Sequence, residues 1–342
     1  METTVLRKFR DNLERQRQNL LDWLNGTPDG EKKIRLGLAT ESDLLARLQK
    51  LDDTIHQTTH DTFGKCDVCH EDVGADTLEM DFTSCVCIDH FSAEQKRQLE
   101  QDLELSHKVQ KALLPKDPPS IPGMRIAALI QPAEIVGGDY FDFFRFKDGS
   151  YGIAIADVMG KGLPASMLVA SLQASLRILV PEYDSPVDVV RRINHLFCHN
   201  IHLIKFISFF LARYNPETGI LEYCNAGHNP PLHVHSAAGA PTVSRLRPTG
   251  PAIGLTESSL FEAARIDMQR GDSLLLYTDG VTEARDANAV EFGENRLADF
   301  VAERNQFDPR SLIDDLRIAL REFSGGTGPQ DDVTMLAAKR IG

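Results

Sequence analysis

The sequence predicts an α+β chain: a sandwich of antiparallel β-sheets flanked by helices, preceded by an α-helical hairpin, a small cysteine-rich knuckle and a helical linker. Three observations carry this expectation. From Ile121 onward, short β-type runs alternate with two pairs of amphipathic helices, a pattern that buries both sheet faces. Before residue 60, two apolar stripes at helical spacing are joined through a polar tip. Between these regions, four of the six cysteines fall between Cys66 and Cys87. Such clustering in a cytoplasmic chain points to metal rather than disulfides.

At 342 residues the chain has room for two domains and a sizeable core. The expected division is 1–91, 92–118 and 119–342. No apolar run reaches the roughly 20 residues of a membrane span. The charged N-terminal stretch lacks the apolar core of a signal peptide, so a cytoplasmic location is expected and no membrane partner. Net charge is -13. It is spread evenly, since residues 1–118 carry 16 Lys+Arg against 23 Asp+Glu and the remainder 21 against 27. Neither part offers the basic surplus that phosphate-backbone binding needs, which argues against nucleic acid.

In chain order, Leu6, Phe9, Leu13, Leu20 and Leu24 form one helical stripe, and Leu44, Leu48, Leu51 and Ile55 a second. The run from Asn25 to Gly30 breaks between them. Cys66-x2-Cys69 is half of a tetrahedral zinc knuckle, and Cys87-x2-His90 supplies the other half, leaving Cys85 spare. Four closed ligands make such a site structural; an iron–sulfur cluster is the lesser alternative. Cys198 and Cys224 stand in apolar contexts and read as buried thiols. Residues 92–114 hold strong helix formers with a partial seam of Leu99, Leu103, Leu105, Val109 and Leu113. That seam suits a signalling helix self-pairing across a dimer, or equally a solvated linker. Strands are expected at 125–130, 140–146, 151–157, 206–214, 220–225, 273–278 and 333–338. Helices are expected at 164–179, after Ser185, near 294–304 and at 310–322.

Residues 135–162 read as a hairpin turning at Lys147-Asp148-Gly149-Ser150. With Lys147 paired to Ser150, Tyr140 would pair with Asp157 and Asp139 would face Val158. Two carboxylates thus reach one open end, among glycines that admit a close ligand. Asp279 and Asp331 likewise sit where a strand meets a Gly-rich or polar loop. Four acids without Cys or His fit two Mg²⁺ or Mn²⁺ ions rather than zinc. Such a pair can lower the pKa of a bridging water and clamp a phosphoryl group for in-line attack. His228 reads as a turn residue, with general acid as the alternative. Asp142 lies on the opposite strand face from Asp139 and is read as structural.

Two resemblances accompany these motifs. Residues 4–91, with Phe63-Gly64 before the first cysteine and the two knuckles, resemble the DksA/TraR family of helical hairpin plus zinc finger. His90 stands where that family usually has a cysteine, and the tip lacks its Asp-x-x-Asp-x-Ala pattern. The resemblance therefore implies the fold and one zinc ion, not polymerase binding. Residues 119–340 resemble the PPM (type 2C) metal-dependent protein phosphatases in their SpoIIE/RsbU-like branch. The matching text runs from Gln110-x-x-Leu-Leu-Pro115 through Gly137-Gly-Asp-Tyr-Phe-Asp142, Ile155-Ala-Asp-Val-Met-Gly-Lys-Gly162 and Asn225-Ala-Gly-His-Asn-Pro-Pro231. It ends with Gly271-Asp-x4-Tyr-Thr-Asp-Gly-Val-Thr-Glu283 and Gln330-Asp-Asp-x-Thr334.

This resemblance implies that Asp157 bridges two metals and that the Val158 carbonyl ligates one. It implies that Asp279 and Asp331 hold the first metal and that Asp139 reaches the second; Asp332 is left outside the ligand set. The arginine that eukaryotic members use for substrate phosphate has no counterpart here. The implied activity is a phosphoserine/phosphothreonine protein phosphatase in bacterial partner switching, acting on an anti-anti-sigma-type phosphoprotein. Two rivals stand beside it. One is a regulatory binding protein working on the transcription machinery through the DksA-like module; the other is a metallohydrolase of small phosphoesters.

Overall fold

A computed structural model describes residues 41–59, 63–66, 68–71, 73, 87, 90–200, 206–235, 241–304 and 308–342, with Arg10, Leu13, Glu14, Arg17, Gln18 and Leu21. Two compact units divide at Glu100 and Gln101.

In the first unit, helix α1 (Glu41–Thr59) buries Leu48, Leu51, Thr54 and Thr58 along one stripe. Leu13 is buried, and Arg17 is ion-paired with Asp52 of α1. The expected hairpin tip and the stripe residues Leu6, Phe9, Leu20 and Leu24 lie outside the described residues, as does Cys85. Helix α2 (Ala93–Leu113) begins in the first unit and ends in the second. Its start is a reciprocal cap: Gln95 N–H donates to Ser92 Oγ, and Ser92 N–H donates to Gln95 Oε1. Leu105 and Val109 of α2 are exposed.

The second unit is a layered sandwich. One sheet has the order β1-β10-β9-β6-β7, formed by β1 (Met124–Gln131), β6 (Leu232–His235), β7 (Thr242–Arg245), β9 (Ser273–Tyr277) and β10 (Val333–Arg340). The other has the order β2-β3-β4-β5-β8, formed by β2 (Asp139–Arg145), β3 (Tyr151–Val158), β4 (Ile207–Tyr214), β5 (Ile220–Ala226) and β8 (Ala264–Asp267). Strand periodicity of two sorts the side chains into layers. Phe141, Phe143, Ile153, Ile155 and Phe210 meet Leu274, Leu276 and Leu336 between the sheets. The alternate residues Tyr140, Phe144, Ala154 and Ala156 pack outward on helices α3 (Gly162–Leu179) and α4 (Pro186–Asn200). On the far side, Leu275, Tyr277, Met335 and Ala337 pack on α6 (Glu294–Glu303) and α7 (Pro309–Phe323).

The structure corrects several expectations. The hairpin loop is one residue longer than expected, which shifts the register by one. Phe146 pairs with Ser150, Gly149 takes φ +81°, and Asp139 therefore lies opposite Asp157 rather than Val158. The three-residue loop ends on a glycine in the left-handed region, the bulge form that is the next most common hairpin connection after the two-residue turns. The strands β6, β7 and β8 were not expected; each has only four residues, too few for alternation to show. Gly162–Glu182 is long and apolar enough, by length and composition, to cross a membrane. Its apolarity is used inward, where Ala165, Val169, Leu172 and Leu176 are buried on the sheet. Cys224 is buried as expected, whereas Cys198 is only half-buried.

Candidate functional site

The corrected register decides the site. Asp139 and Asp157 are directly paired across β2 and β3, so their side chains leave the same face of the sheet. Both are in phase with Phe141 and Ile155, and so point toward the gap between the sheets at its open end. The opposite sheet brings Asp279 there immediately after β9 and Asp331 just before β10. Residues 278 and 334 are joined at this end by the bond from Thr278 N–H to the Thr334 carbonyl. Asp279 opens the one-turn helix α5 (Asp279–Thr282). The Val158 carbonyl lies at the same end, beside Gly138. A Cβ on Gly138 would stand 2.8 Å from the Val158 carbonyl oxygen and 3.1 Å from that of Gly160.

Of the four acids at this rim, Asp139 is the most withdrawn from water. Its Oδ2 accepts hydrogen bonds from Thr278 Oγ1 at 2.8 Å and Thr334 Oγ1 at 2.6 Å, so it ties the two sheets together. Burial, then the neighbouring Asp157 charge, raises its pKa well above the carboxylate range despite those donors. Asp157 is pushed up to about 7 by burial and by the charges of Asp279, Asp331 and Asp332. Asp279 is pushed up to about 6 by burial and by Glu283 and Asp331, with partial relief from the Gly280 N–H and Lys161. Lys161 Nζ lies 3.2 Å from Asp331 Oδ2 and donates to the Gln330 carbonyl. One lysine does not balance this many carboxylates. The donor set is all oxygen, crowded and charge-deficient, which fits hard divalent cations.

Sequence reasoning missed the groups that hold these acids in place. Asp332 is buried and accepts backbone N–H bonds from Ala133 at 2.8 Å and Gly138 at 2.6 Å. The fit is close: a Cβ on Gly137 would stand 2.3 Å from Asp332 Oδ2, and one on Gly280 2.1 Å from the Asp332 carbonyl oxygen. Gln110 of α2, also buried, clasps the Gly137 backbone. Its Nε2 donates to the carbonyl at 2.6 Å, and its Oε1 accepts the N–H at 3.1 Å. These contacts span 27 residues for Gln110 and 194 and 199 for Asp332, so no local sequence signal marked them. Asp142 faces away from the cleft, held by Arg177 at 2.8 and 2.7 Å and by the Tyr140 hydroxyl at 2.8 Å. His228 is buried, bonded to Ser208 Oγ at 2.8 Å and pushed down to about 3 by burial. It is therefore neutral near neutrality and lacks the imidazolium proton that a general acid would donate.

A second cluster occupies the first unit. Cys66 Sγ lies 3.5 Å from Cys87 Sγ and 3.8 Å from His90 Nδ1, and Cys69 Sγ lies 3.7 Å from Cys87 Sγ. Cys87 Sγ and His90 Nδ1 are 2.8 Å apart, and all four ligand atoms fall within 4.8 Å of one another. A tetrahedron with zinc–sulfur bonds of about 2.3 Å has edges of about 3.8 Å, so the sulfur spacing suits that ion. The Val68 and Cys87 N–H groups donate to Cys66 Sγ. Backbone hydrogen bonds at Cys69 and Cys87 hold the Cys66 thiol down at about 6, which favours the thiolate.

The crowding makes a stability prediction. A carboxylate whose pKa rises on folding binds its proton more tightly in the native state. Stability therefore falls as pH climbs from the unfolded carboxylate range to about 7. With Mg²⁺ and Mn²⁺ withheld, Asp157→Asn removes that penalty, so its stabilising effect should be larger at pH 8 than at pH 5 by about 1–2 kcal/mol and should vanish only near about pH 3, below the unfolded carboxylate range. Thermal melts at the two pH values measure it; a variant less stable than wild type at pH 8 would show that the acids do not repel.

Comparisons with known proteins agree with this architecture. A family profile described as Stage II sporulation protein E (SpoIIE) matches residues 147–341. The chain is 30% identical over 193 residues to phosphoserine phosphatase RsbU of Bacillus subtilis strain 168, covering 56% of this chain and 57% of that protein. The chain spans about half the length of the curated relatives it matches. A solved structure of the RsbU and RsbW domains of Rv1364c from Mycobacterium tuberculosis shares 28% identity, with a TM-score of 0.55 over 65% of this chain and 61% of that one. The SiaA-PP2C domain of Pseudomonas aeruginosa has a TM-score of 0.63 at 19% identity, over 72% of this chain and 98% of that one, which establishes likeness of fold. Because the profile extends over more than half of its residues and the two-sheet architecture matches, the chain belongs to the SpoIIE family.

Proposed function

We propose that the protein is a cytoplasmic, Mn²⁺- or Mg²⁺-dependent phosphoserine/phosphothreonine protein phosphatase. The carrying observation is the direct pairing of Asp139 with Asp157 at a rim shared with Asp279 and Asp331. Asp157, Asp279 and Asp331, with the Val158 carbonyl, are the groups that would hold one cation, and Asp157 and Asp139 those facing a second. Two such ions, when bound, supply Lewis-acid clamping and a water of lowered pKa. The chain's own contribution is position. Thr278 and Thr334 orient Asp139, Asp332 and Gln110 hold the Gly137-Gly138 loop, and the hairpin register keeps the acids on one face. Kinship with RsbU supports a phosphoprotein substrate of the anti-anti-sigma type. Asp157→Asn or Asp279→Asn should lower Mn²⁺-dependent phosphate release by about 10²–10³-fold or more with the fold retained. Wild-type turnover in either purified variant would refute the assignment.

The spacing of Cys66, Cys69, Cys87 and His90 supports one structural zinc ion in the first unit. Elemental analysis should find about one Zn²⁺ per chain. Cys87→Ser and His90→Ala should each loosen it and Cys85→Ser should not; the reverse pattern for Cys85 and His90 would reassign the fourth ligand.

Helix α2 is proposed as the regulatory element, and as the surface through which two copies pair by Leu105 and Val109. The supporting observation is the Gln110 clasp on Gly137, two residues from Asp139. Movement of α2 would loosen the loop that carries an acid. A coupling of about 1–3 kcal/mol would change metal affinity about 5–150-fold. Gln110→Ala in the full chain should therefore raise the Mn²⁺ concentration for half-maximal activity at least about fivefold, with little loss at saturation. An unchanged Mn²⁺ dependence would leave α2 a passive tether.

A further inference from the structure

Next to the acid cleft, a cavity of about 520 Å³ opens, reaching from Asp331 and Gly280 to the flank of α7. Its walls have the opposite charge character to the rest of the molecule. Lys161, Arg285, Arg317 and Arg321 line it against only two acids, Glu283 and Asp331, in a chain of net charge -13. Two of the cations are already engaged, Lys161 with Asp331 at 3.2 Å and Arg285 with Glu291 at 3.0 Å. Arg317 and Arg321 differ. They stand one turn apart on the exposed flank of α7, whose other face buries Leu312, Ile313, Leu316 and Leu320. Among the described residues no carboxylate pairs with either.

The remaining wall is built to stay open. Gly326 and Gly328 in that wall have nothing within 4 Å of where a Cβ would stand, and Gly326 takes φ of +81°. A phosphoserine presented to Asp157 and Asp279 has neighbours in its own chain, and the cavity begins at the residue beside Asp279. Its volume lies in the range of sites that hold a few side chains. Each guanidinium group can recognise a carboxylate through two parallel N–H donors.

We propose that this cavity receives acidic side chains flanking the phosphoserine of the substrate protein, with Arg317 and Arg321 as specificity-determining residues. The inference rests on the phosphatase reading above and adds to it the chemistry of the substrate segment. The arginines act on binding of the substrate chain, not on the reacting phosphoryl group.

The test uses the full chain with Mn²⁺ and two phosphoserine peptides of equal length, one flanked by glutamates and the other by glutamines. Wild type should favour the acidic peptide by at least about tenfold in kcat/KM, through KM, and the preference should shrink as salt rises. Arg317→Glu with Arg321→Glu should abolish the preference, and the paired Lys substitutions should retain part of it. Melting temperatures of both variants check that the fold persists. Equal efficiency on the two peptides in wild type, or a preference that survives the Glu substitutions, overturns the inference alone. Equal loss on both peptides in the Glu variant also overturns it, because the arginines would then serve the phosphate or the architecture. Turnover of neither peptide by wild type overturns the phosphatase reading together with the inference.

Discussion

Two carboxylates facing each other across adjacent strands repel, and the second unit is arranged to keep them there. Asp139 and Asp157 share one face of one hairpin because a three-residue turn at Gly149 sets the pairing. Repulsion alone would favour a slip of register or a swing of one acid into water. Neither is available. A slip by one residue would send Phe141, Phe143, Ile153 and Ile155 to the wrong layers. Asp139 is held from the opposite sheet by two threonine hydroxyls, so moving it would also cost the contact between the sheets. The packing of the sandwich thus holds the acids in a state that a bound cation would relieve.

The loops around this pair follow from the same constraint. Gly137, Gly138 and Gly280 leave room for Asp332 and for the Val158 carbonyl at distances no Cβ would allow. Asp332 spends both carboxylate oxygens on backbone N–H groups, which makes it a brace for the loop. Gln110 braces the same loop from α2. An acid cluster supported on one side by a helix is open to control by that helix, since an anchored loop and a loosened one would bind metal with different affinity. On the other side, the arginine-lined cavity places positive charge beside the negative cleft.

Much of the sandwich was legible in the sequence. The runs at Ile153–Val158, Ser273–Tyr277 and Val333–Ala338 have strand character throughout, and α3, α4, α6 and α7 announce themselves by apolar stripes. Asp139, Asp157, Asp279 and Asp331 could be singled out because each stands at a strand end beside a polar or glycine-rich loop. Register was not legible, because an Asp-Gly turn is compatible with loops of two or three residues that differ only in backbone torsions. The roles of Thr278, Thr334 and Asp332 were also hidden. Their partners lie 56 to 199 residues away, and no local spacing reports such contacts. Asp332 accepts one backbone N–H on each carboxylate oxygen, which an asparagine, with one amide oxygen and an NH₂ donor, could not reproduce.

Acids this crowded hold protons that a bound metal would displace, and proton release on metal binding reads that directly. Mn²⁺ titrated into metal-depleted protein in buffers of differing ionisation enthalpy gives the number of protons released per site. With Asp157 at about 7 and Asp279 at about 6, release should fade by pH 9, exceed roughly one proton at pH 6 and grow further toward pH 5. Asp157→Asn should lose most of it. Binding of Mn²⁺ that releases no protons at pH 6, with an affinity flat across this range, would contradict the account.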